Sequence, residues 1–144
     1  NHSGEDLFIT KGREIKTFKV KGINFLPAIC FDLRFPIHFL ALAKSCDASI
    51  CIANWPDARI SHWHTLLKAR AIENQMYMIG VNRIGKDVKG INYIESSVIY
   101  NPFGEEILPV SYYENQCSTN APTRRNLITQ FDRSIVGSHH FRFL

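Results

Sequence analysis

The feature that most constrains the fold is a nearly unbroken apolar run over 23–31, which ends shortly before Pro36. Polar and apolar residues alternate over 15–20, and a Lys21-Gly22 turn signal separates the two segments. We therefore predict a hairpin whose second strand is buried on both faces. Because proline suits the first turn of a helix, a helix is expected over 36–45.

Further strands alternate with one clear helix along the chain. Short apolar runs at 48–53 and 76–82 predict buried strands, and apolar residues at steps of three and four predict a helix over 60–75. This alternation indicates an α/β domain, and the hairpins indicate that its sheets are mixed. The remaining predictions are a polar turn at 85–90, a hairpin over 97–110, a polar loop over 112–125 and a last strand over 127–131.

Composition restricts the classes of partner. Hydrophobic residues make up 45% of the 144 and charged residues 21%, the balance of a soluble globular protein. The net charge of +4 is scattered, so we expect no nucleic-acid partner, and the apolar stretches are too short to span a membrane. The four cysteines lack metal-binding spacing, and the adjacent His139 and His140 have no acidic partner nearby. We predict free thiols in the cytoplasm and no metal site.

Cys30 is the strongest candidate for chemistry. It lies at the end of a predicted buried strand, just before a turn and a helix. A side chain there projects from a sheet edge, where free backbone N–H groups can hold an oxyanion. A thiol in this place needs a neighbouring base or cation to act as a nucleophile. Cysteine is also a common small hydrophobe of protein cores, and the residues alone leave both interpretations open.

Several short motifs follow one another in a fixed order. The nucleophile segment is Leu-Pro-Ala-Ile-Cys-Phe-Asp-Leu-Arg-Phe-Pro at 26–36. The others are Ala-Asn-Trp-Pro at 53–56, Arg59, His62-Trp63, Leu66-Leu67, Ala-Arg-Ala-Ile-Glu-Asn-Gln at 69–75, Gly-Val-Asn-Arg-Ile-Gly at 80–85 and Asn-Pro-Phe-Gly-Glu at 101–105. Together they closely resemble the carbon–nitrogen hydrolase (nitrilase) superfamily over about residues 5–110. The Asn-Trp-Pro and His-Trp elements look most like the omega-amidase branch, which hydrolyses 2-oxoglutaramate or similar dicarboxylate monoamides.

The resemblance implies part of a four-layer α-β-β-α sandwich with a Glu-Lys-Cys triad. Glu is the general base, Lys stabilises the tetrahedral intermediate, and Cys30 forms a thioester that water hydrolyses. The backbone N–H of Phe31 is expected in the oxyanion hole, with its ring in the core. The family's base and lysine precede the nucleophile, and neither Lys11 nor Lys16 lies in the lysine motif. Glu5 matches a second, supporting glutamate, although it is equally typical of an exposed loop.

The residues around the expected substrate each allow two interpretations. Trp55 either forms a wall of the pocket or is a core tryptophan. Arg59 and His62 either bind a substrate carboxylate or belong to a solvated helix start. Asp32 and Arg34 are expected to brace the nucleophile turn by hydrogen bonds, and Arg34 could also attract an acidic substrate.

Two further features concern the predicted helix over 60–75 and position 95. Arg70, Glu73 and Asn74 are spaced for contacts along one helix, which favours a structural network of ion pairs and hydrogen bonds. Glu95 stands where the family usually has glycine, so its charge either perturbs the site or faces solvent.

We expect residues 1–144 to form one partial carbon–nitrogen hydrolase domain, with a core over about 5–110 and a C-terminal arm over about 111–144. The chain opens at Asn1 without methionine, which is typical of a start inside a larger protein. An isolated half exposes sheet edges and apolar surface, so we expect it to be poorly soluble or inactive. The resemblance implies a homodimer paired through 36–45 and the segment after Ser111.

The sequence leaves three functions open. The first is an amidase acting on a small linear omega-amide, with no metal or organic cofactor. The second is a catalytically silent or truncated fragment that acts only through association. The third is a redox-sensing thiol protein, in which Cys46 or Cys51 would resolve an oxidised Cys30.

Overall fold

A six-stranded sheet organises the fold in the computed structural model, which describes residues 10 and 12–109. The strands of this sheet, in order across it, are β1 (Phe18–Val20), β2 (Ile23–Ile29), β3 (Ala48–Ala53), β4 (Tyr77–Asn82), β7 (Val98–Tyr100) and β8 (Glu106–Pro109). A separate two-stranded ribbon consists of β5 (Gly85–Lys86) and β6 (Asn92–Tyr93), and the two helices are α1 (Pro36–Leu40) and α2 (Ile60–Asn74).

The central strands β2, β3 and β4 run parallel, whereas β1, β7 and β8 pair antiparallel with their neighbours. The chain from β2 to β3 contains α1, and the chain from β3 to β4 contains α2. These connections are the crossovers that parallel strands require. The predicted α/β fold with mixed pairing is therefore confirmed.

One face of the sheet is closely covered by the helices. Trp63 and Leu67 of α2 belong to the buried core, and Phe39 of α1 joins the same cluster. Gly80 of β4 allows this close packing, because a Cβ there would lie 2.8 Å from the Trp63 ring and would overlap Leu67. The core on this face is formed by Leu26, Ala28, Cys51, Met78, Val98 and Tyr100 from the sheet.

The opposite face of the sheet, here called the open face, is apolar but much less covered. Ile29, Ile52 and Val81 pair across β2, β3 and β4 and are 64%, 51% and 41% exposed. The prediction that β2 is buried on both faces is therefore wrong, because helices cover only one of them. A second, half-buried row on the open face consists of Pro27, Ile50, Ile79 and Ile99.

Most predicted elements are confirmed, with two differences. The helix predicted over 36–45 ends at Leu40, and the chain then forms a 3₁₀ turn at Ala43–Ser45. The backbone N–H and the hydroxyl of Ser45 both donate to the Leu42 carbonyl, which closes that turn instead of extending the helix. The polar turn predicted at 85–90 belongs to the β5–β6 ribbon. The loop and strand predicted beyond Ser111 lie outside the described residues.

Candidate active site

The site forms where the parallel strands end. Ile29, Ile52 and Val81 are paired in register, so the residues that follow them share one edge of the sheet. The backbone N–H of Arg83 donates to the Ala53 carbonyl at 3.1 Å, which extends this register beyond β4. Ligand sites of α/β sheets lie at the carboxyl ends of parallel strands. The chain places Cys30 at this edge.

Cys30 has an unusual backbone conformation. Its φ of 45° is in the left-handed region, and it begins the 3₁₀ turn Cys30–Arg34 directly after β2. A non-glycine residue rarely adopts this conformation, and nucleophiles at strand-to-helix turns are a known exception. The cysteine is half-buried against the core. The Phe31 N–H is in the first turn, where backbone donors have no partner within the helix.

Two contacts brace this turn. The Asp32 carboxylate accepts a hydrogen bond from the Ile29 N–H at 2.9 Å, which confirms the bracing role expected for Asp32. From α2, Arg70 donates its Nε–H to the Leu33 carbonyl at 3.2 Å and forms an ion pair with Glu73 at 2.7 Å. The Arg70 carbonyl also accepts a hydrogen bond from the Asn74 side chain at 2.8 Å, so the predicted helix network is confirmed. The nucleophile turn is therefore fixed from both sides.

Arg34 contacts aromatic rings. Its guanidinium carbon lies 4.9 Å from the centre of the Trp55 ring and 5.9 Å from that of Phe31. Among the described residues, no carboxylate lies within the 4.0 Å of an ion pair with Arg34. The hydrogen-bonded brace expected for Arg34 is thus replaced by a cation–π contact, which leaves its positive charge without an acidic partner in this part of the chain.

Trp55 is a core residue that also supports Arg34. Its side chain is 3% exposed, and its ring centre lies 5.4 Å from that of Trp63. The indole N–H donates to the Arg59 carbonyl at 2.8 Å. The burial of Trp55 confirms the core interpretation, and the pocket wall stays a prediction.

The Phe31 side chain corrects one expectation. Its ring is 62% exposed, so the prediction that it belongs to the core is wrong. The reason is that the same short turn buries Leu33 completely, and with three residues per turn Phe31 lies on a different side. The ring instead makes an edge contact with Phe35 at 5.5 Å. The predicted oxyanion role concerns only its backbone N–H and is unaffected.

The remaining residues that the sequence singled out are exposed or lie outside the described part of the chain. Arg59 and His62 are exposed at the start of α2, and within residues 12–109 no hydrogen bond or ion pair joins either side chain to the nucleophile turn. Glu95 is exposed and faces solvent. Glu5 lies outside the described residues.

A polar cluster at the β5–β6 ribbon was not predicted. The Arg83 guanidinium lies 4.7 Å from the centre of the Tyr93 ring, and the Tyr93 hydroxyl donates to Asp87 at 3.1 Å. The hydrogen bond from the Ile91 N–H is the main cause that holds the Asp87 pKa below its ordinary value. Burial is the main cause that raises the Tyr93 pKa, and the hydrogen bond to Asp87 adds to this shift. The only sequence signal was the position of Arg83 directly after a predicted strand.

Cys51 lies beside the nucleophile on the helix-covered face. It is fully buried, and burial raises the pKa of its thiol to about 12, although a hydrogen bond from the Cys30 N–H opposes the shift. The structure thus brings the two cysteines together. A thiol with so high a pKa is a poor attacking group in disulfide exchange, which disfavours Cys51 as the resolving thiol of the redox hypothesis.

Comparison with known proteins agrees with this geometry. The carbon–nitrogen hydrolase family model matches residues 2–129. The chain belongs to the carbon–nitrogen hydrolase family. It is 45% identical to an omega-amidase, YafV, of Yersinia enterocolitica over 103 residues, which cover 72% of this chain and 40% of that protein. It is 34% identical to a 2-oxoglutaramate amidase of Bacillus subtilis over 101 residues, covering 69% and 39%. The chain spans less than half the length of these relatives.

Solved carbon–nitrogen hydrolases have the same fold. A superfamily member from Xanthomonas campestris, XC1258, solved with an arsenic adduct in its active site, matches with a TM-score of 0.66 and 27% identity, over 99% of this chain and 57% of that one. Nit3 of Saccharomyces cerevisiae matches with a TM-score of 0.61 and 22% identity, over 84% and 51%. These carbon–nitrogen hydrolases are α-β-β-α sandwiches, and the chain supplies part of that fold.

Membrane-spanning helices and metal-binding clusters are both absent from the described residues. No helix within residues 12–109 is long and apolar enough to cross a membrane. The same part of the chain contains no group of three or more His, Cys, Asp or Glu side chains placed to hold a metal ion.

Proposed function

We propose that this chain carries the nucleophile of an amidase that hydrolyses the amide C–N bond of a small linear omega-amide, such as 2-oxoglutaramate. The left-handed conformation of Cys30 at the carboxyl edge of the parallel strands is the observation that most supports it. Strained backbone conformations cluster at functional sites, and a sharp strand-to-helix turn is where nucleophiles are presented to substrates. The similarity to omega-amidases supports the choice of substrate.

The proposed reaction proceeds in two steps. The Cys30 sulfur attacks the amide carbonyl carbon, and the carbonyl oxygen becomes an oxyanion near the Phe31 N–H. The C–N bond then breaks, the nitrogen leaves as ammonia after accepting a proton, and a thioester remains on Cys30. Water attacks the thioester, which releases the carboxylic acid and restores the thiol. The base and the lysine implied by the resemblance are assigned to no described residue.

Arg34 is proposed to bind the carboxylate of the substrate. Its charge has no acidic partner among residues 12–109, and it lies on the same short turn as Cys30. Four residues of 3₁₀ structure span roughly 8 Å, comparable with the length of a five-carbon substrate. The flat Trp55 ring beneath the guanidinium limits its movement. This position fits a carboxylate better than the exposed Arg59 and His62 do.

The test measures ammonia release from 2-oxoglutaramate by the polypeptide as its native source produces it. We expect Cys30→Ala to abolish release, and an acid quench of the wild-type reaction to show a substrate-derived acyl group on the Cys30 peptide. Arg34→Gln should raise KM for this substrate and leave KM for an uncharged amide nearly unchanged. Absence of both ammonia and the acyl adduct would instead support the silent-fragment hypothesis.

Pairing of two copies is also proposed. Phe31, Phe35, Ile37 and Leu40 form an exposed apolar patch on the nucleophile turn and α1. Such patches mark interaction sites, and this one coincides with the region that the resemblance implies for a homodimer. Replacing Ile37 by Asp should therefore lower the mass measured by light scattering, and an unchanged mass would place the contact elsewhere.

A further inference from the structure

Asn82 is the polar residue most closely connected to Trp55. Its side-chain oxygen accepts the Trp55 backbone N–H at 2.7 Å, and its side-chain nitrogen donates to the Trp55 carbonyl at 2.9 Å. The Asn82 side-chain amide therefore binds both the backbone N–H and the backbone carbonyl of Trp55. Asn82 is 6% exposed, so water competes little for these bonds.

The remaining polar atoms of Asn82 are also bonded. Its side-chain nitrogen makes a second donation, to the Ser96 hydroxyl at 2.9 Å, and its backbone N–H donates to the Ser97 hydroxyl at 3.0 Å. The orientation of the amide is thus fixed from the chain that leads into β7. The oxygen and the nitrogen of the Asn82 amide are both bonded, so only one orientation of the amide satisfies these contacts with Trp55.

Trp55 transmits this arrangement towards Cys30. Its ring is 4.9 Å from the Arg34 guanidinium carbon, and Arg34 ends the 3₁₀ turn that Cys30 begins. The strength of a cation–π contact depends on the charge lying over the ring face. A shift of the Trp55 backbone therefore moves the ring and releases the guanidinium from its place.

We infer that Asn82 is a positioning residue, which holds Trp55 so that Arg34 presents its charge to an anionic group bound at Cys30. This rests on the proposed function in one respect, the role of Arg34. The preference for an acidic substrate then depends on Asn82, which lies two strands away from Cys30 and touches no substrate.

Alkylation of Cys30 by two small reagents tests this without requiring amide turnover. Iodoacetate carries a carboxylate and iodoacetamide does not, so the ratio of their rates reports the positive charge near Cys30. Both rates are measured by mass spectrometry of the Cys30 peptide, on the complete native polypeptide. For unit charges roughly 8 Å apart, the expected effect of Arg34 on the ratio is about 2- to 30-fold. Molar salt should remove most of it.

We expect Arg34→Gln to lower the iodoacetate-to-iodoacetamide ratio, and Asn82→Ala to produce most of the same drop. Trp55→Leu should match Asn82→Ala, and the double variant should drop no further. Ser49→Ala is the matched control, since it removes a different buried hydrogen bond, to the Leu26 carbonyl, leaves the contacts of Asn82 and Trp55 in place and should keep the wild-type ratio. If Asn82→Ala does not fold, Asn82→Ser replaces it, because its short hydroxyl cannot span both Trp55 atoms.

The outcomes separate the two proposals. A ratio that falls in Arg34→Gln but not in the Asn82 variant would overturn the positioning role and leave Arg34 as the anion-binding residue. A ratio that falls equally in Ser49→Ala would also overturn it, since the Trp55 bonds are then not the cause. A ratio unmoved by Arg34→Gln would refute both roles, while ammonia release from an amide would still support the amidase.

Discussion

The left-handed backbone at Cys30 gives a prediction that separates chemistry from stability. Replacing Cys30 by Ala removes the thiol and keeps a Cβ at a φ of 45°, whereas replacing it by Gly removes the Cβ as well. A Cβ in left-handed conformation costs about 1–2 kcal/mol. Glycine at an ordinary position is less stable than alanine by about 0.5–1 kcal/mol, because its unfolded chain has more freedom.

A matched pair of variants isolates the first of these costs. Ala41 is exposed and has a φ of −59°, so Ala41→Gly carries the unfolded-state cost without left-handed relief. We expect the step from Ala to Gly at position 30 to be more favourable than the same step at position 41 by about 1–2 kcal/mol. The Cys30→Gly variant should therefore be at least as stable as Cys30→Ala, and both lack the thiol.

The assay is urea unfolding followed by circular dichroism, with all four proteins measured in one buffer. The stability change is taken from the midpoints, provided that the urea dependence of unfolding is equal among variants. The reasoning is refuted if glycine costs the same at both positions within about 0.5 kcal/mol, well below the left-handed cost. The nucleophile would then be free of backbone strain.

Three further predictions concern packing, reactivity and pH. Gly80→Ala should destabilise the fold by about 1–3 kcal/mol in urea unfolding, because the added methyl overlaps Leu67, and the exposed Gly12→Ala should not. Cys51 should resist iodoacetamide in the native protein, because it is fully buried and its pKa is about 12, and modification of Cys51 as fast as that of Cys30 would contradict this. Asp87→Asn should lower the urea midpoint at neutral pH. Folding lowers the pKa of Asp87, so its carboxylate contributes fully to stability above its ordinary pKa of 3.8, and this contribution is lost as the pH falls through the lowered pKa. An equal loss of stability in the Asp87→Asn variant in strong acid would refute this prediction.

Most of the fold could be predicted because burial repeats along the chain. The steps of three and four that predicted α2 correspond to its buried side chains, which include Trp63 and Leu67. The strand at Ala48–Ala53 and both hairpins followed from apolar runs and turn residues. The same signal failed for β2, because an apolar run looks the same in the sequence whether helices cover one face of the strand or both.

The site was predicted only where a local motif described it. Cys30 and the bracing role of Asp32 follow from one contiguous segment. The outward Phe31 ring could not be predicted, since the direction in which a chain leaves a strand depends on one backbone angle. The contacts of Asn82 and Tyr93 join segments that are distant in sequence, and no periodicity reports such pairs.

The open face makes this chain prone to aggregate while it folds. Its rows of isoleucine and valine lie on strands that pair in parallel and in register, so the sheet can form before anything covers that face. Until it is covered, the surface is equally suited to another copy, and partly folded chains with such surface tend to aggregate. The production of this protein in cells should therefore depend on chaperones and temperature more than its native stability would indicate, and dilution during refolding should improve recovery.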